Sequence, residues 1–238
     1  MNLFMMIVEY AGLVAFSFSG AMVAIDAEAD LFGVVFLALV TTFGGGILRD
    51  VMLGITPPKF FTEYSVFVLI SAISALAAFG FAMVMKKRYI KERGHLTTII
   101  NYFDAAGLGI YAVSGTQIAI SSGNASPFIA VTMGLLTCIF GGLMRDLMLG
   151  MIPFVIKKRI YAVAAIAGSL VYYVLVCHTS VGIALATVFG VLTTFTLRVL
   201  ATIFKWNMPK AIIFSSIDAS EIPAESEKKT GTEPALKQ

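Results

Sequence analysis

Seven stretches of about twenty mostly apolar residues, separated by short polar joints, restrict this chain more than any other feature of its sequence. They run over residues 4–25, 31–53, 64–85, 98–120, 127–150, 160–177 and 181–204. A helix that crosses a bilayer needs about 20 such residues, because hydrocarbon offers backbone amides and carbonyls no partner outside the helix. Of the 238 residues, 58% are hydrophobic and 13% charged, whereas a soluble domain carries about 25% charged residues. That is too little charge to cover a water-facing surface. An all-α integral membrane protein with seven transmembrane helices is predicted. The start, MNLFMMIVEY, has no basic segment and runs straight into a full-length apolar stretch, so it reads as a first span and not as a cleaved leader.

The joints give the expected orientation. With seven helices, Lys86, Lys87, Arg88, Lys91, Arg93, Lys157, Lys158, Arg159, Lys205 and Lys210 collect on one side, and Lys59 stands on the other. Cytoplasmic joints are enriched in Lys and Arg, which puts the C-terminus in the cytoplasm and the N-terminus outside. From Ser220 onward Pro, Ser, Glu, Thr and Lys dominate, so residues 207–238 read as a disordered polar tail. A net charge of +3 is too weak for nucleic-acid binding. Cys138 and Cys177 lie inside apolar stretches at no metal-ligand spacing and read as free thiols. There is no H-E-x-x-H, no G-x-S-x-G and no phosphate loop. Nothing calls for an enzyme, a cofactor or a metal.

A duplicated motif organises the rest. Residues 43–57 read FGGGILRDVMLGITP and residues 139–153 read IFGGLMRDLMLGMIP. Gly45, Gly46, Arg49, Asp50, Met52, Leu53, Gly54 and Pro57 match Gly141, Gly142, Arg145, Asp146, Met148, Leu149, Gly150 and Pro153. Upstream, with a one-residue shift, Ser19-Gly20 matches Ser114-Gly115. The chain then divides into a first three-helix repeat (1–97), a second (98–178), a seventh helix (179–206) and the tail. Each repeat holds an odd number of spans, so the second enters from the opposite face. Such inverted repeats place the functional site near the axis that relates them.

The motif residues admit two readings each. Gly44, Gly45 and Gly46, mirrored at Gly141 and Gly142, either break the helix and expose backbone to a polar path, or let helices pack closely. Arg49 and Arg145 are costly in a membrane and either face a cavity or snorkel to an interface. Neighbouring residues on a helix point about 100° apart, so Asp50 and Asp146 are expected to reach other helices, even across the repeat. Ser19 and Ser114 either line a path or bond to their own backbone. Asp104 and Glu9, at corresponding places in spans four and one, are either cation ligands or interfacial. Gln117 faces Met22 in the alignment of the repeats. Arg198 is expected to snorkel at the end of span seven.

With its paired GG-x-x-RD motifs in spans two and five of a 3+3+1 chain, the sequence resembles the prokaryotic trimeric intracellular cation (TRIC) channels, a domain also described in bacteria as a glycine transporter. The resemblance covers both repeats and the seventh helix. It implies a homotrimer in the bacterial or archaeal inner membrane, surrounded by lipid, with one pore per protomer. That pore would be selective for monovalent cations, chiefly K⁺ with Na⁺ as a further candidate, and spans two and five would be kinked at their glycines. The pore or gate would then involve Arg49, Asp50, Arg145, Asp146, Ser19, Ser114 and Asp104. Phe140 stands where the first copy has Gly44. The alternative is a secondary transporter of a small amino acid such as glycine.

Overall fold

A computed structural model describes residues 3–62, 65–84, 93–123, 126–157, 160–204 and 206. The described chain is helical: α1 (Leu3–Asp26), α2 (Leu31–Met52), α3 (Lys59–Thr62), α4 (Ser65–Val84), α5 (Arg93–Ser121), α6 (Pro127–Met148), α7 (Phe154–Lys157), α8 (Tyr161–His178) and α9 (Ile183–Ile203). The seven long helices match the seven expected spans. Six are long and apolar enough to cross a membrane. The seventh, α5, has 29 residues and carries Asn101, Asp104 and Gln117, which lower its apolarity. The basic joint at 86–92, Lys158, Arg159, Lys205 and the tail beyond 206 lie outside the described residues.

The helix ends follow from local chemistry. Asp30 caps α2, accepting the Gly33 amide at 2.7 Å. Pro127 opens α6, where its missing N–H costs nothing. Both motif helices stop in the same way. Gly54 and Gly150 take φ of +72° and +65°, and the amides that follow, Ile55 N and Met151 N, return to the Asp50 and Asp146 carbonyls. Only glycine adopts that left-handed turn without strain.

The glycine runs do not break their helices. Both α2 and α6 are continuous α-helix through Gly44–Gly46 and Gly141–Gly142, contrary to the reading of spans two and five as interrupted there. The reason is packing. A Cβ on Gly45 would collide with the Thr137 carbonyl of α6, and a Cβ on Gly141 would collide with the Thr41 carbonyl of α2. The contacts Thr41–Gly141 and Gly45–Thr137 run in opposite chain directions, so the two helices cross antiparallel, backbone on backbone. Each threonine is held by its own helix, Thr41 to the Leu37 carbonyl and Thr137 to the Met133 carbonyl, both at 2.6 Å. Small residues make close crossings where no hydrophobic effect drives helix association.

Around this crossing, α1 and α5 also lie antiparallel. Gly12 abuts Ile110, Phe16 abuts Gly107, and Phe18 meets Phe103 at 4.6 Å between ring centres. Helix α4 packs on α1 and α2, and α8 packs on α5 and α6. Helix α9 closes against α5 and α8, with Thr194 set on Gly168 and Gly190 under Val113. Large apolar side chains such as Phe32, Leu69, Phe128 and Leu185 point outward, more than 45% exposed, as a lipid-facing surface requires.

Candidate functional site

The two Arg-Asp pairs build corresponding devices. Arg49 donates from Nε at 2.9 Å and from Nη2 at 2.7 Å to Oδ1 of Asp50, whose Oδ2 accepts the Lys59 amide at 2.9 Å. In the second copy Arg145 Nε lies 2.9 Å and Nη2 2.7 Å from Asp146 Oδ1, and Asp146 Oδ2 accepts the Phe154 amide at 2.7 Å. Each aspartate thus joins its own arginine to the first residue of the short helix that follows. Among the described residues Asp50 and Asp146 reach the short helix that follows each of them and not the other repeat, and each pairs with the adjacent arginine, which corrects the expectation that they reach past it. At the last turn the long arginine side chain folds round the helix to its neighbour, and the 100° between adjacent Cα–Cβ vectors does not prevent it. Arg49 and Arg145 are 3% and 0% exposed, so neither snorkels.

What surrounds the two devices differs. At the Arg49 end, a cavity of about 420 Å³, counted to its open mouth, is lined by Glu9, Thr42, Phe43, Arg49, Tyr111 and Ser114 among others. A second cavity of about 600 Å³ is lined by Glu9, Lys59, Ser114, Gln117 and Thr187 with apolar residues of α1 and α5. Glu9 and Ser114 stand in the walls of both, and Ser114 Oγ donates to Glu9 Oε1 at 3.4 Å. Both repeats contribute: Glu9, Thr42 and Arg49 come from the first, Tyr111 and Ser114 from the second.

At the Arg145 end the corresponding groups are buried. Asp104 is buried, with Tyr161 donating its hydroxyl to Oδ1 at 3.4 Å and Arg198 Nη2 3.8 Å from Oδ2. The Arg198 guanidinium lies 4.6 Å above the Tyr161 ring, and the Arg145 guanidinium 5.0 Å above the Phe154 ring. Arg198 is 1% exposed. Its assignment to an interface is therefore also corrected: Asp104 on α5, one helix away, supplies a buried anion.

Of the expected site residues, Arg49, Asp50 and Ser114 meet in one cavity. Asp104 lies at the opposite end among Tyr161 and Arg198. Ser19 is fully buried, and its hydroxyl has no hydrogen-bond partner among the described residues. The repeat pairs Glu9 with Asp104 in the sequence, whereas Thr42, Tyr111 and Tyr161 carry no such mark.

A family model described as glycine transporter matches residues 6–83 and 101–177, one segment in each repeat. The chain belongs to this family. A UPF0126 membrane protein of Bacillus subtilis, YvgT, is 36% identical over 83% of this chain and 92% of its own length. A UPF0126 membrane protein of Deinococcus radiodurans is 35% identical over 71% and 75%. Among solved structures, a TRIC trimeric intracellular cation channel orthologue from Rhodobacter sphaeroides superposes with a TM-score of 0.76 at 33% identity, covering 86% of this chain and all of the other. A second structure, described for conductance through TRIC cation channels, gives 0.75 at 33% identity over 87% and 97%. With these relatives and six apolar spans among its described residues, the family member in hand is a multi-pass membrane protein.

Proposed function

We propose that the chain is a monovalent cation channel, chiefly for K⁺, that works as a homotrimer with one pore per protomer. The path follows the contact between the repeats beside α2 and α6. The observation that carries this reading is the cavity at the Arg49 end, built from both repeats and holding a carboxylate, Glu9, in the wall it shares with the second cavity. Arginine in a cation path is electrostatically awkward, but Arg49 is committed to Asp50 at 2.7 Å, so the pair adds almost no net charge. Cation conduction needs a wet path with sites that bind weakly enough to release. The two similar solved structures, both of TRIC cation channels, support the same reading. The positive-inside rule supports an external N-terminus and a cytoplasmic C-terminus, which would turn the Arg49 cavity outward.

Glu9 in a cavity built from both repeats also suits the ammonium end of a zwitterion, and this favours carriage of a small amino acid as the second reading. Recording from purified protein in planar bilayers separates them. A channel gives unitary currents whose reversal potential follows the K⁺ gradient. Saturable glycine uptake without unitary currents would replace this reading with the second.

A further inference from the structure

The repeat relates each wall of the open cavity to a residue at the closed end. Glu9 corresponds to Asp104, Ser114 to Ser19, Thr42 to Cys138 and Arg49 to Arg145. The first of each pair lines the cavity at the Arg49 end. Ser19, Cys138 and Arg145 are 0% exposed and Asp104 1%. One contribution comes from outside the repeat. Helix α9 has no counterpart in the first three-helix unit, and it brings Arg198 to Asp104, over the Tyr161 ring. Cys138 and Tyr161 belong to the same buried cluster with Phe16 and Leu108.

We propose that Asp104 is a cation-binding carboxylate equivalent to Glu9, and that the Arg198 guanidinium occupies it as a tethered cation, closing the Arg145 end. The proposal rests on the reading of the protein as a cation path and names how that path is closed. A carboxylate buried among apolar groups requires a counter-ion. The ion-pair contact of Asp104 with Arg198 is 3.8 Å, and Asp104 Oδ2 accepts no hydrogen bond among the described residues. This is a loose contact beside the 2.7 Å pairs of Arg49 and Arg145. A mobile monovalent cation and the Arg198 guanidinium satisfy the same carboxylate, and they exclude one another. Displacement of α9 frees Asp104 for the permeating ion. By linkage, cations reaching Asp104 favour the displaced state.

The test uses the full chain in liposomes and bilayers in a Cys177→Ser background, because Cys177 is exposed and Cys138 is buried. Cys138 is the reporter, read by its reaction with a water-soluble, positively charged thiol reagent. In the parent, Cys138 should be protected, and millimolar guanidinium chloride should change nothing. In Arg198→Ala, Cys138 should react roughly tenfold faster or more, as expected when a closing contact is removed. Free guanidinium should then restore protection by refilling the vacated place. In Arg198→Ala/Asp104→Asn, Cys138 should remain reactive while guanidinium no longer protects. Arg198→Gln, which fills the space without the charge, should behave as Arg198→Ala and serves if the alanine variant does not fold. Unchanged protection of Cys138 in a folded Arg198 variant overturns the proposal. So does guanidinium protection that persists without the Asp104 carboxylate. Currents are read separately: channel activity should rise in the Arg198 variants and fall with guanidinium. If no variant carries unitary current while the labelling pattern holds, the tethered cation stands and the channel reading falls.

Discussion

Arg49 and Asp50 act first within their own copy of the motif. Asp50 Oδ1 takes two donors from Arg49, and Oδ2 holds the Lys59 amide, so removing the carboxylate strands a buried guanidinium and an amide together. Asp50→Ala should lower stability by about 3–5 kcal/mol, the usual cost of breaking a buried pair, and Asp146→Ala should do the same. Thermal unfolding of the purified protein in detergent measures both. A double-mutant cycle on Arg49 and Asp50 should show coupling of about 0.5–3 kcal/mol, whereas Arg49 with Asp146 should be additive within about 0.5 kcal/mol. Strong coupling across the copies would contradict the geometry. On the proposed reading, charge cancellation inside each copy lets a cation path tolerate two motif arginines.

At the scale of the helices, the glycines divide by what faces them. Gly45 and Gly141 lie against carbonyls of the opposing helix, whereas Gly46 and Gly142 face their own arginine at 3.7 Å. Gly45→Ala and Gly141→Ala should force α2 and α6 apart and cost about 1–3 kcal/mol, as overpacking does. Gly46→Ala meets no backbone and replaces a poor helix former, so it should be neutral or stabilising by up to about 1 kcal/mol. Melting temperatures of the three variants test the distinction, and equal losses at Gly45 and Gly46 would argue that flexibility matters more than the crossing. The motif was legible as a doubled string in the sequence. Its meaning was not, since a glycine run that breaks a helix and one that admits a neighbour are spelled the same way.

For the whole molecule, an inverted repeat makes two ends alike in sequence, and the packing around them, α9 included, makes them unlike in structure. Thr42 lines the open cavity, and its counterpart Cys138 is sealed. In a Cys177→Ser background, Thr42→Cys should react with a water-soluble thiol reagent while native Cys138 does not. Equal reactivity would remove the asymmetry. The orientation has its own test: reporter fusions after Lys91 and at Lys210 should read cytoplasmic, and one within 56–62 should read external. A shared side for all three would defeat the expected topology.

By itself the sequence determined the class of fold, the seven long helices and the inverted repeat. The reason is that hydrocarbon leaves a chain this apolar few choices, and an odd-numbered duplication can enter the membrane only upside down. It also marked Arg49, Asp50, Arg145 and Asp146 through their duplication. Tertiary structure alone decided what these residues touch. Asp50 turned to its neighbour because a helix ends there and a new one begins within reach of its second oxygen. Arg198 turned inward because α9 packs against α5 and α8 with Asp104 one helix away, a distance that residues 94 positions apart do not announce. The asymmetry between an open and a closed end is a property of that packing, since the repeat spells both ends almost alike.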